Sequence, residues 1–277
     1  MYPIERRPGD AVFLRRKVNT SLTFIDTHCH FDAAEFAQDR DTEYARARAG
    51  GVTTQIIPAI ARDNFADVAA VCTSYPGCLP AWGLHPMLIA AHRPEHLDEL
   101  RKQIAAYQPV AIGEIGLDFF VRGLDPATQE YFYVEQLKIA RGYDLPVLLH
   151  CRKSVDQLLK HLRRIRVRGG IAHAFNGSPQ QAEMLIKLGF KLGFGGAFTW
   201  PRANNLRRLA MSLPLESIVL ETDSPDIAPV WLGKARNSPA ELPRIADTLA
   251  ELRGISIATV SEVTTANARA VLALDSA

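Results

Sequence analysis

Two histidines, His28 and His30, stand two positions apart at the end of the run Phe24-Ile-Asp-Thr-His-Cys-His30. Phe24-Ile-Asp26 reads as a short buried strand, and alternation along a strand sends both imidazoles to one face. Paired imidazoles at a strand end make half of a metal site. Later runs end in the same chemistry. Glu114 lies in Gly113-Glu-Ile-Gly-Leu-Asp118, His150 precedes Cys151-Arg152, His173 follows a short apolar run, and Asp223 lies in Glu221-Thr-Asp-Ser-Pro225. Any one of these residues alone reads as a core histidine or a strand-end cap. Together, His28, His30, Glu114, His150, His173 and Asp223 read as a metal centre.

Four histidines and two carboxylates exceed the needs of one tetrahedral ion and suit two divalent ions that share a carboxylate. Glu114, between the early and late ligands, is assigned as the bridge. His28, His30 and Asp223 are assigned to one ion and His150 with His173 to the other. Such a pair lowers the pKa of water and provides a nucleophile near neutral pH, with Asp223 placed to accept its proton. Glu114 and Asp223 are therefore the expected catalytic carboxylates. His85, in Gly83-Leu-His-Pro86, is expected to contact substrate phosphate or to support the ligands. His92, His96 and His161 are expected at the solvated surface.

These residues need a scaffold that gathers strand ends at one place. Eight short apolar runs recur, at Phe24–Asp26, Thr53–Pro58, Leu79–Gly83, Val110–Glu114, Pro146–His150, Gly170–His173, Lys191–Gly195 and Ile218–Glu221. Helical patterns lie between them, at Asp41–Ala49, Asn64–Tyr75, His96–Tyr107, Gln129–Tyr143, Ser154–Arg166, Pro179–Leu188, Arg202–Met211 and Pro239–Arg253, and Ala258–Leu274 reads as a terminal helix. Eightfold alternation predicts an α/β chain folded as a single (β/α)8 TIM barrel, with the active site at the C-terminal strand ends. An open doubly wound sheet is disfavoured by the lack of a G-x-G-x-x-G motif after the first strand.

The chain has 277 residues, 47% hydrophobic and 22% charged, with a net charge of +2. That balance is ordinary for a soluble globular protein and carries no global field for nucleic acid or membrane, although a local basic rim is compatible with a nuclease. No apolar run reaches the roughly 18 residues of a membrane span. Residues 1–22 are basic, with Arg6, Arg7, Arg15, Arg16 and Lys17, and are expected to form a flexible N-terminal extension ahead of a domain spanning residues 23–277. Cys29, Cys72, Cys78 and Cys151 lack a zinc-ribbon spacing and are expected as free thiols in the cytoplasm, with Cys29 and Cys151 aimed away from the ligands beside them.

The motifs resemble the TatD family of metal-dependent deoxyribonucleases, within the amidohydrolase-like superfamily. The matching stretches are Phe24–Asp32, Gly83–Pro86, Gly113–Asp118, Leu145–Arg152, His173–Ser178, Leu220–Pro225 and Arg236–Pro239. Gly195–Arg202 and Ser224–Asp226 resemble the YjjV-type members most. The resemblance implies a phosphodiesterase dependent on Mg2+, Mn2+ or Zn2+ that acts on DNA, with 3′-5′ exonuclease action on single-stranded 3′ ends favoured. It places Glu114 where wider relatives carry a carboxylated lysine. Ala174 to Ser178 departs from the family's usual Cys or Gly followed by Ser-Gly-Ser, which alters a loop lip and leaves the ligand intact. Residues 1–22 have no counterpart in the family pattern.

Phosphate is bound by arginine forks, so Arg152, Arg202 and Arg236 are candidate substrate contacts together with His85. Trp200, Phe119 and Phe120 are candidate base-stacking groups, although packing under loops is the plainer reading. The alternatives to a nuclease are an ester or amide hydrolase, such as a deacylase of misacylated tRNA, and a non-catalytic metal-stabilised scaffold. No obligate protein partner is evident, and a monomer is expected.

Overall fold

The computed structural model describes residues 22–274, and the basic extension expected over residues 1–22 lies almost wholly outside the described residues. Eight parallel strands follow one another around one sheet in chain order: β1 (Phe24–Asp26), β2 (Val52–Pro58), β3 (Cys78–Trp82), β4 (Ala111–Asp118), β5 (Val147–Arg152), β6 (Gly170–Ala172), β7 (Phe190–Phe194) and β8 (Ile218–Leu220). The ring closes through backbone bonds just beyond the first and last strands. Thr27 N donates to Leu220 O at 3.1 Å and Asp223 N to His28 O at 2.8 Å. The expected (β/α)8 barrel is the observed fold.

The helices are α1 (Arg40–Ala49), α2 (Phe65–Ser74), α3 (His96–Ala106), α4 (Pro126–Gly142), α5 (Val155–Arg164), α6 (Pro179–Lys187), α7 (Asn204–Ser212), α8 (Leu242–Arg253) and α9 (Ile257–Leu272). Capping sets several starts. Asp125 accepts from Thr128 N with Pro126 in the first turn, so α4 begins three residues before the apolar periodicity does. Ser178 and Gln181 form a capping box on α6. Helices α4 to α8 bury one face each against the outside of the sheet, through residues such as Phe132, Leu158, Leu185, Leu209 and Ile245.

A second apolar cluster fills the barrel itself. It consists of Ile25, Ile56, Ala81, Ala111, Leu148, Ile171 and Val219, joined by Ala268 and Leu272 of α9. Val110, just before β4, and Leu79, near the start of β3, pack against it, so α9 meets the strands towards their N-terminal ends. The opposite end is left for loops and chemistry.

One strand differs from expectation in a way that matters. β4 runs to Asp118 instead of stopping at Glu114, because the register shifts between Ile112 and Ile115 and pairing with β5 then resumes, Gly116 opposite His150 and Asp118 opposite Arg152. Glycine is required there: Gly116 has φ of 147° and a Cβ on it would lie 2.1 Å from His150 O. Glu114 thus sits within a strand, gripped on both sides, and not on a strand tip.

The inner cluster carries the fold, so Leu148→Ala should cost about 2–5 kcal/mol of unfolding free energy in denaturant titration. A loss below about 1 kcal/mol would mean that the barrel interior relaxes around the cavity.

Candidate metal centre

The two oxygens of Glu114 face different histidines. Oε2 lies 3.1 Å from His28 Nε2 and 3.8 Å from His30 Nε2. Oε1 lies 2.8 Å from His150 Nδ1 and 3.1 Å from His85 Nε2. Asp223 Oδ1 completes the first side, 3.7 Å from both His28 Nε2 and His30 Nε2 and 3.5 Å from His173 Nε2. The donor atoms fall into three groups, each within 4.8 Å: His28, Glu114 and His173; His28, His30 and Asp223; His85, Glu114 and His150.

The structure thus brings together all six expected ligands, but groups them differently. His173 was expected beside His150. Its ring instead stacks on His28, centroids 3.7 Å apart, while His150 faces His85. His85, expected to contact phosphate or to support the ligands, offers a ligand atom of its own. The loop that returns His85 to this position is held by His85 N donating to Ile60 O at 2.8 Å and by His92 Nε2 donating to His85 O at 3.0 Å. His92 and His96 are buried, contrary to expectation, and His161 lies 3.0 Å from Glu130 Oε2.

The arrangement fits cations. Neither ring nitrogen of fully buried His28 makes a hydrogen bond, although Nε2 approaches Glu114 closely. Buried groups left without hydrogen bonds are costly unless something else satisfies them. Charge is arranged accordingly. Burial alone would raise the pKa of Glu114, but His85, His28 and His150 outweigh it and hold the carboxyl well below its ordinary range. Asp223 is likewise pushed up by burial and brought below its ordinary range by His173, His28 and His30. Burial opposes the charge on His150, yet Asp118 and Glu114 raise it to about 9. A metal there must displace that proton.

Three carboxylates behind the ligands were not singled out from the sequence. Asp118 Oδ2 lies 2.9 Å from His150 Nε2, and its Oδ1 accepts from the amides of Phe120 and Val121. Burial pushes Asp118 up, but His150 and these amides bring it to about 2. Glu221 Oε1 sits 3.1 Å from His173 Nδ1 and accepts from Ala174 N at 2.7 Å. Asp26 accepts from the amides of His28 and Thr222 and from the Thr222 hydroxyl, bolting β1 to β8. Its burial is strong enough to raise it to about 7. A usable signal was present in the sequence: each lies two or four residues from a candidate ligand, the spacing that alternation along an extended segment would send to one side.

Asp223 has φ of 56°, a conformation its loop must hold. Buried Asn237 does so, donating from Nδ2 to the carbonyls of Thr222 and Asp226 while Oδ1 accepts from Ser238 N.

The expected substrate arginines separate. Arg152 is exposed and lines a cavity of about 670 Å³ together with His150, His173 and Asp223. Arg202 stands over Trp200, and Trp200 donates to Ala228 O, so neither lines that cavity. Arg236 is committed elsewhere: its fork grips Asp39 at 2.8 and 2.7 Å and covers Phe36. The cysteines are free, as expected. Cys29 Sγ points to Gln55, and Cys151 Sγ donates to His173 O.

Residues 25–273 match the model of the family described as TatD related DNase. The chain belongs to that family. It is a metal-dependent hydrolase of the TatD type. It is 43% identical over 235 residues to an uncharacterized metal-dependent hydrolase, YjjV of Escherichia coli K12, covering 83% of this chain and 90% of that one. The crystal structure of that TatD homologue superposes with a TM-score of 0.86, covering 90% of this chain and 97% of the other at 39% identity. A Cronobacter sakazakii protein named 3′-5′ ssDNA/RNA exonuclease TatD is 34% identical over 251 residues, covering 88% of this chain and 95% of that one. No helix among the described residues of this TatD-type chain is long and apolar enough to cross a membrane.

Two outcomes check the layer behind the ligands. Asp118→Ala should weaken metal binding about 10- to 100-fold in calorimetric titration of metal-free protein; unchanged affinity would mean that His150 is not a ligand. Asn237→Ala should lower stability by about 1–3 kcal/mol, read as a drop in Tm.

Proposed function

We propose that the chain hydrolyses DNA phosphodiesters, removing nucleotides from single-stranded 3′ ends with two divalent cations. The observation that carries this is Glu114, whose two oxygens face two separate sets of histidines. His28, His30 and Asp223, with His173 beside them, would hold one cation; His85 and His150 would hold the other; Glu114 would bridge. Mixed imidazole and carboxylate donors suit Zn2+ and Mn2+ and, less readily, Mg2+. Cations bound there supply Lewis-acid polarisation of phosphoryl oxygens and a lowered pKa for water.

The chain's own groups do the rest. Asp223, kept ionised by the histidines around it, accepts the proton of the attacking water at its carboxylate. Asp118 and Glu221 fix the rings of His150 and His173 through their far nitrogens. Arg152 offers a fork to the phosphate next to the one being cleaved. The name carried by the Cronobacter relative supports the 3′-5′ polarity and the single-stranded substrate. Four free thiols suit a reducing cytoplasm. The large apolar side chains exposed on and at the ends of the helices, Tyr107, Tyr131, Tyr143 and Met211, are scattered, which suits a monomer.

End-labelled single-stranded DNA, incubated with metal-free protein and added Mg2+, Mn2+ or Zn2+, should give a ladder receding from the 3′ end. Asp223→Asn should retain metal and lose activity by about 100-fold or more, and a His150→Ala, Glu114→Ala double variant should be inactive. Protein that binds two metals yet leaves DNA intact would move the substrate to an ester or amide, acyl-tRNA included.

A further inference from the structure

The mouth of the barrel carries an apolar patch that the metal chemistry does not use. Among the described residues, the large hydrophobic side chains that stand in solvent include Met87, Leu88, Phe119, Phe120 and Ile227. All five lie on the connections that follow β3, β4 and β8, at the end of the barrel where the histidines gather, Met87 and Leu88 in a short 3-10 helix. Phe120 is 50% exposed, Met87 41% and Ile227 37%, and these three line the same cavity as His150, His173 and Asp223. Met87, Phe120 and Ile227 thus adjoin the candidate site, which is the pattern of a binding surface.

Phe120 is held out in water, not left loose. The amides of Phe120 and Val121 donate to Asp118 Oδ1 at 2.8 and 2.9 Å, and Phe119 N donates to Arg152 O at 3.0 Å. The same Asp118 holds His150 through its other oxygen, so one carboxylate sets the ring and a candidate ligand in a fixed relation. Cations flank the ring: the Arg152 guanidinium lies 3.9 Å from its centroid and the Lys153 ammonium 5.0 Å. The cavity is therefore two-faced. Buried Glu221 and half-buried Asp223 lie on its inner side, while its exposed residues include Asp226 and an aromatic ring flanked by two cations. A ligand with a flat apolar face joined to a phosphate matches that ring and those cations, and an unpaired nucleotide has both parts.

Resting on the phosphodiesterase reading above, we propose that Phe120, with Met87 and Ile227, is a stacking platform for an unpaired base that flanks the scissile phosphate, and that Arg152 and Lys153 hold that nucleotide's phosphate. A base inside a duplex has both faces covered by its neighbours and cannot lie on the platform, so the platform selects frayed or single-stranded ends.

The test is a cycle of protein and substrate changes with manganese-loaded full-length protein. Single-stranded oligonucleotides are made intact, or with one abasic site at either nucleotide flanking the terminal phosphodiester. Binding is read by anisotropy in an Asp223→Asn background, and KM is read in the parent. Base stacking on an aromatic ring predicts that Phe120→Ala weakens binding of the intact strand by about 5- to 100-fold. On the strand abasic at the contacted position it should have almost no further effect, and Phe120→Tyr should restore affinity. Arg152→Ala should weaken both strands alike and reduce the salt dependence of binding. If Phe120→Ala weakens every strand equally while the parent still cleaves DNA, the platform is wrong and the nuclease reading stands. If the parent neither binds nor cleaves single-stranded DNA, both fall.

Discussion

An ionised carboxylate that is 2% exposed is hard to keep in a protein interior, and Glu114 is one. Burial alone would neutralise it; three imidazoles close to its two oxygens reverse that. Much of the surrounding architecture serves this balance. The histidines come from the loops after β1 and β3 and from β5, and a barrel is the arrangement that lets segments so distant in sequence converge on one group. Backbone must also come close. A Cβ on Gly83 would lie 2.5 Å from the carbonyl carbon of Gly113, and one on Gly113 would lie 2.5 Å from Leu148 Cβ. The glycines of Gly83-Leu-His-Pro86 and Gly113-Glu-Ile-Gly-Leu-Asp118 are thus the space into which Glu114 and His85 are drawn.

Around this pair lies a layer of carboxylates that never faces solvent. Asp118, Glu221 and Asp26 each touch a ligand residue on its far side, at a ring nitrogen or at the backbone amide. Glu221 again depends on glycine, since a Cβ on Gly193 would lie 2.1 Å from its Oε2. That oxygen has no hydrogen-bond partner, so β7 gives it room without solvating it. The cost of such a group is acceptable only because His173 is held beside it, raised well above its ordinary value chiefly by Glu221 and Asp223 against the pull of burial. Carboxylates crowd these histidines from several sides, a charge arrangement that suits a cation site.

The fold was legible because period-two apolar runs and helical spacing alternate eight times, and because each ligand type follows a run. All six candidate ligands that the structure gathers around Glu114 could be named from residue type and position alone. Their partition could not. His173 sits with His28 and not with His150 because ring orientation depends on Glu221 and on the turn at Ala174, whose φ is 45°; no spacing rule encodes that. His85 was read as a phosphate contact or a support, and its place beside Glu114 depends on a bond to Ile60 from a different loop and on His92 of its own connection, which no spacing shows. Arg236 was misjudged for a related reason. A cation after the last strand resembles a phosphate contact in sequence, while in space Asp39 has already taken its fork.

The mouth therefore separates two tasks that one sequence motif combines. Gly113-Glu-Ile-Gly-Leu-Asp118 supplies the central carboxylate from one end and, from the other, Asp118, which faces both inward to His150 and outward to the turn that carries Phe120. Chemistry at the metal centre needs the inner geometry fixed to fractions of an ångström, whereas recognition of a chain of nucleotides needs only a face and a charge at the right distance from it. Placing both under one buried carboxylate makes that distance a property of β4 and not of loop fluctuations. Rim residues can then differ without moving the inner geometry, because the two are joined through Asp118 and not through each other.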